Sequence, residues 1–151
     1  MTVRALEPLP APNDALQSVL AGEYACGYAY GLIGAQLGGA PREHARRDLA
    51  DHSASRDTVR RLLLSRGVDP APAAAAYNAP FVVNTPATAL RLAALVEDRL
   101  ALVWADLVAS ASSAGDAELT TLAVAGVAAS AVRSSSWSGE AQAFPGLLTA
   151  D

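Results

Sequence analysis

The chain has 151 residues, 52% of them apolar, and a formal net charge of −4. That is one domain's worth of chain, with enough apolar side chain for a core that needs no disulfide or metal staple. A single cysteine, Cys26, excludes an intrachain disulfide and a multi-cysteine zinc site, and the mild acidity gives no global pull toward nucleic acid or acidic membrane.

Alanine supplies 35 residues and aromatics only 5%, which favours helices over sheets. All side-chain positive charge is carried by eleven arginines, with no lysine; beside so much alanine this reads as codon bias in a GC-rich genome. The opening MTVRALEPLPAP places Glu7 and three prolines where a signal peptide needs an apolar core, so a cytoplasmic location is expected. Tyr24 to Ala40 carries no formal charge over 17 residues, near the lower limit for a bilayer span. Its glycines, tyrosines and Gln36, with Glu23 just before it, favour a buried core helix instead.

In chain order, the first predicted helix begins with Asn13 as N-cap and Asp14 favouring the dipole, and ends near Leu37 before Gly38-Gly39. Leu16, Val19/Leu20, Glu23, Cys26/Gly27, Tyr30, Ile33/Gly34 and Leu37 face inward, a three-four spacing with one acid inside it. The second opens at Pro41 and closes at Gly67 after Arg66, with Ala45, Asp48/Leu49, His52, Ser55, Val59 and Leu62/Leu63 inward. The third runs from Thr85-Pro86 to about Ser112, with Leu90, Ala93, Glu97, Leu100, Trp104 and Leu107 facing in. The fourth follows Gly115-Asp116 to about Trp137, through Leu119, Leu122, Gly126, Ala129 and Arg133.

Helices one and two are joined by only a few residues, as are three and four, so each pair is an antiparallel hairpin. Between the pairs lies Val68 to Asn84, rich in proline, with a candidate helical turn at Ala73 to Tyr77. Each helix is roughly 35 to 40 Å long, and the linker can extend to about 60 Å, enough to travel the whole bundle. Two hairpins joined by one long crossover describe an all-α ferritin-like four-helix bundle. The expected organisation is an irregular N-terminal arm over 1–12, the bundle over 13–137 and an irregular C-terminal tail over 138–151, packed over one end.

Several segments, LAGEYACGYAYG (Leu20 to Gly31), His52 to Asp57 and AYNAPF (Ala76 to Phe81), together with LVEDRLA around Glu97, SSWSG (Ser135 to Gly139) and AFPGL (Ala143 to Leu147), form one combined pattern. In that pattern the chain resembles an actinobacterial ferritin-like family of unknown function, over nearly its whole length. The resemblance implies the fold and no particular activity.

Four ionisable residues interrupt the apolar stripes at nearly one depth: Glu23, His52, Glu97 and Arg133. Burying a charge costs several kcal/mol unless a partner neutralises it. Di-iron bundles place a lone Glu on each of two helices and Glu-x-x-His on each of the other two. Glu23 and Glu97 suit the lone positions, but Leu49 stands three before His52, Asp48 is four before it, and the fourth helix has no carboxylate or histidine after Glu118. Counting outward in equal steps from each turn pairs Glu97 with Arg133 and Glu23 with His52 to within about three positions. An arginine is a permanent cation where a metal would otherwise sit. The favoured expectation is therefore a charge-neutralised polar cluster of Glu23, His52, Glu97 and Arg133, with no catalytic residue and no cofactor. The alternative is a metal-dependent oxidase or metal-handling protein holding iron or manganese through Glu23, Asp48, His52 and Glu97.

Cys26 is expected to be packing rather than a thiolate partner of His52. The Gly27/Gly31 and Gly34/Gly38 spacings suit either close packing inside the bundle or a homodimer face. Seven arginines between Arg42 and Arg66 raise a nucleic-acid reading, but Glu43-Arg47, Arg47-Asp51 and Asp57-Arg61 stand four apart and no aromatics interleave, so a solvated salt-bridged face is expected and nucleic acid is not. The function expected is that of a non-catalytic binding or assembly protein, dimeric, with no membrane association and a protein partner that the sequence does not identify.

Overall fold

The computed structural model describes residues 8–140 and 145–146. Four helices, α1 (Pro12–Gln36), α2 (Gly39–Ser65), α3 (Pro86–Ser113) and α4 (Ala117–Ser138), make up the bundle, and no strand occurs among the described residues. Cap chemistry explains several of the boundaries. Thr85 and Thr88 form a reciprocal capping box at the start of α3, and Asp116 Oδ1 accepts from the Leu119 amide at the start of α4. Gly67, Gly115 and Gly139 follow the ends of α2, α3 and α4 with φ near +75°, a left-handed backbone that favours glycine.

Two sequence expectations about helix starts give way. The first helix begins at Pro12 with Ala11 at the cap and no side-chain cap bond. Asn13 instead accepts a 2.6 Å bond from Arg66 Nε, which ties the start of α1 to the end of α2. The second begins at Gly39, two residues before Pro41. No helical turn forms at Ala73 to Tyr77; the Ala74 amide donates to Tyr77 Oη instead.

Contacts along the helices fix the topology. Ser110 donates to the Pro10 carbonyl near one end, and Cys26 meets Val96 further along, so α3 runs antiparallel to α1. The crossover must therefore carry the chain from one end of the bundle to the other. It is tethered at its start by Gln17, which bonds Asp69 and Ala71, and near its end by Arg91 stacked 4.3 Å over Phe81. Helix backbones pack closely along α1–α2, α1–α3 and α3–α4. Along α2–α4 they do not, and a cleft of about 260 Å³ opens there between α2, Trp104 and α4.

Leu16, Leu20 and Ile33 of α1, Leu63 of α2, and Leu92, Leu100 and Leu107 of α3 are essentially inaccessible. Each contributes about 2 kcal/mol of apolar burial. On α4 the buried stripe is Leu119, Ala123, Ser130, Ser134 and Trp137, not the expected Leu122, Gly126, Ala129 and Arg133. The small residues let α4 lie closely on α3, which turns the expected stripe toward the α2–α4 cleft. Leu90 is likewise exposed, and Ala89 takes its inward place. Of the tail expected over 138–151, residues 141–144 and 147–151 lie outside the described residues, as do 1–7 of the arm. Ser138 belongs to α4, and Gly146 rests against Ala101, Ala105 and Val127 along the α3–α4 groove.

A buried hydrogen-bonded chain across four helices

The four polar interruptions meet in the core. Glu23 and Glu97 are 2% and 0% exposed, and His52 between them is 1% exposed. His52 Nδ1 lies 2.7 Å from Glu23 Oε2 and its Nε2 lies 2.8 Å from Glu97 Oε1. Arg133 Nε donates to the same Glu97 oxygen at 3.0 Å. Counting from the hairpin turns leads to two separate acid–base pairs; in the structure His52 bridges both carboxylates, because α1 and α3 are neighbours across the bundle.

Several partners were not singled out from the sequence. Ser55 Oγ donates to Glu23 Oε1 at 2.6 Å. Tyr30 Oη donates to Glu97 Oε1 at 2.7 Å and lies 3.2 Å from Asp48 Oδ2. Trp137 Nε1 reaches both Asp48 Oδ2, at 2.8 Å, and Tyr30 Oη, at 2.9 Å. His44 stacks on the Trp137 indole with centroids 4.2 Å apart, and its Nε2 is 3.5 Å from Asp48. Tyr30 and Ser55 stood on the inward stripes as packing residues, and His44 precedes Asp48 by one helical turn; those spacings were the available signals.

Geometry sets the charges. Both ring nitrogens of His52 face carboxylate oxygens, and only the imidazolium has two N–H groups to donate. Burial alone pulls this histidine down, but the hydrogen bonds and charges of Glu23 and Glu97 outweigh it and push it up to about 9. Burial also opposes the charge on Arg133, and Glu97 again overcomes it, holding the guanidinium firmly protonated. For Tyr30, burial and the adjacent Glu97 raise the phenol far out of the titrating range, so it serves as a fixed donor. Burial first, then Glu97 and Glu23, likewise raise the Cys26 thiol; its Sγ points to the Val96 carbonyl at 3.8 Å and not to His52.

The ligand set that a di-iron bundle requires does not fit these residues. Asp48 is drawn off to Tyr30 and Trp137, so Glu23, Asp48, His52 and Glu97 do not converge on one point. Both His52 nitrogens are engaged by the carboxylates that would be co-ligands, and Arg133 adds a cation beside Glu97. Among the described residues, no three His, Cys, Asp or Glu side chains are arranged to hold a metal ion. Glu97 Oε2 is the one buried oxygen of the cluster without a protein partner, which is far short of the carboxylate set two metals need.

Other expected features resolve differently. At Gly27, Gly31, Gly34 and Gly38 no atom stands within 4 Å of where a Cβ would be, so the bundle's own packing does not need glycine there. On α2, the arginines pair as Glu43–Arg46 and Arg56–Asp57 in place of Glu43–Arg47, Arg47–Asp51 and Asp57–Arg61; exposed pairs are too weak to impose one spacing. No described helix is long and apolar enough to cross a membrane.

Comparison with known proteins supports the architecture. Residues 15–149 match the family described as a domain of unknown function, DUF4439. A conserved hypothetical protein from Mycobacterium tuberculosis, rv2844, superposes with a TM-score of 0.80 at 33% identity, covering 85% of this chain and 95% of the other. A ferritin-like diiron-carboxylate protein from Bacillus anthracis str. Ames superposes with a TM-score of 0.72 at 16% identity, covering 85% and 93%. No curated protein matches. The all-α, ferritin-like fold is thereby shown.

Proposed function

The chain belongs to the DUF4439 family, and from that premise we propose that it is a non-catalytic ferritin-like binding or assembly protein whose core is neutralised by its own cations in place of a di-iron centre. One observation carries the reading: His52 donates to both Glu23 and Glu97, and Arg133 donates to Glu97, so one protein cation stands between the carboxylates and a second beside one of them. Two acids balanced by two bases need no dication, and a dication entering there meets two positive groups. The site residues in this proposal are Glu23, His52, Glu97 and Arg133.

The same proposal takes in a bundle over 13–137 flanked by two irregular ends, a cytoplasmic location and an actinobacterial source. It also takes in a homodimer, for which the open face at Gly27, Gly31 and Gly34 leaves room for close approach. The solution mass tests the dimer, since the monomer is 15.4 kDa.

Metal analysis of protein purified without chelator tests the core. The expected result is substoichiometric iron, manganese and zinc, with Glu97→Gln lowering stability and leaving metal content unchanged. Stoichiometric metal that Glu97→Gln removes would sink the proposal in favour of a metal-dependent oxidase or metal-handling protein.

A further inference from the structure

A second site lies on the other side of α1. Between α1 and α3, roofed by crossover residues 77–80, is a half-open cavity of about 190 Å³. Gly22, Ala25 and Ala29 form its floor, and Leu92, Val96 and Val103 form one wall. A Cβ at Gly22 would come within 2.8 Å of Leu100 Cδ1, so the bare glycine lets that side chain lie close to α1. The rim is built by Tyr28 and Tyr77, whose rings lie 5.4 Å apart and are tilted by 36°. Tyr77 is held in place by the Ala74 amide, and the crossover beyond it by Arg91 on Phe81, so the cavity is preformed.

Charge on the lining has one sign. Arg99 is the only charged residue among those lining the cavity; it is exposed at the rim and makes no ion pair among the described residues. Arg42, Arg47, Arg60, Arg61 and Arg91 make none either, but Arg99 alone of these lines the cavity. A guanidinium beside an apolar slot matches a planar carboxylate, which it can grip with two parallel hydrogen bonds. The volume limits the apolar part. Benzene occupies an apolar cavity of roughly 150 Å³ in another protein, so 190 Å³ admits one ring and a short spacer, not a long acyl chain. The crossover already covers the groove, which leaves no length for a partner helix.

We propose that this α1–α3 cavity binds a small aromatic carboxylic acid, its ring between the Gly22–Ala25–Ala29 floor and the two tyrosines, its carboxylate on Arg99. The site is separate from the His52 chain and stands whether or not that chain holds a metal.

The test titrates the full chain with 3-phenylpropanoate and with its neutral analogue 3-phenylpropan-1-ol, read by calorimetry and amide NMR shifts. Expected is saturable binding of one acid per chain with Kd at or below about 1 mM, and affinity about fivefold above that of the alcohol. Arg99→Gln should remove that difference and leave alcohol binding intact. Ala25→Phe, which fills the slot, should abolish both while circular dichroism shows helicity retained; Val103→Phe narrows the opposite wall if that variant does not fold. Absence of saturable binding overturns the proposal, as does binding that survives a folded slot-filling variant. Equal affinity for acid and alcohol, or tighter binding of a long-chain fatty acid, overturns the ligand class.

Discussion

His52 is held charged by its position between two carboxylates, and that position makes a pH prediction. Its folded pKa, about 9, lies above the ordinary value of 6.5. The stabilisation is therefore fully present below about pH 6.5 and is lost as pH rises through about 9. It amounts to roughly 3 kcal/mol, enough to lower Tm by several degrees between pH 6.5 and 9.5. Thermal melts across that range should show the decline, and His52→Gln should flatten it. A flat wild-type profile would mean that the two carboxylates do not hold the imidazole charged. At this scale the sequence was readable in part: Glu23, His52, Glu97 and Arg133 each break an apolar stripe. The bridging role of His52 was not, since counting within a hairpin relates α1 to α2 and α3 to α4 but never α1 to α3. Tyr30 and Trp137 went unseen as donors because an aromatic on an inward stripe looks the same whether or not its polar edge finds a partner.

Among the elements, α4 departs furthest from its sequence pattern. Ala123, Ser130 and Ser134 turn toward α3, and Ser134 donates to Asp98 at 2.6 Å. Gly126 then sits opposite the Trp104 ring, which occupies the space a Cβ would need. Gly126→Ala is predicted to destabilise the protein by about 2 kcal/mol, lowering Tm by roughly 4 to 8 °C, because the added Cβ overlaps the Trp104 ring and forces the indole out of its packed position. Differential scanning calorimetry of that variant checks it; an unchanged or raised Tm would show that the α3–α4 packing is looser than described. Helix ends were legible where capping residues are strong, as at Thr85 and Asp116. They were shifted where Asn13 found a distant partner in Arg66. The rotation of α4 was hidden because alanine and serine carry so little pattern that Leu122 and Leu119 dominate any reading of the stripe.

For the whole molecule, the long crossover between two tight hairpins made the topology readable from loop lengths alone. The open α2–α4 side was not readable, since nothing in a helix's own spacing says how far its neighbour stands. Its consequence concerns the order in which the molecule comes apart. α2 buries few apolar side chains, chiefly Ala45, Val59 and Leu63, and its remaining inward places are Asp48 and His52. Three sides of the bundle are closed by close helix packing, and the fourth by polar bridges such as Arg66–Asp116 and Trp137–Asp48. Salt screens the partly exposed Arg66–Asp116 bridge, and alkali removes the charge that binds His52 of α2 to Glu23 and Glu97, while apolar packing is touched by neither. Native-state hydrogen exchange should therefore find the amides of α2 opening before those of α1, α3 and α4, and more so at pH 9 than at pH 6.5. Uniform protection across the four helices would contradict this. On that expectation α2 is the helix held least by apolar packing, closed against α1 on one side and fastened elsewhere by charge.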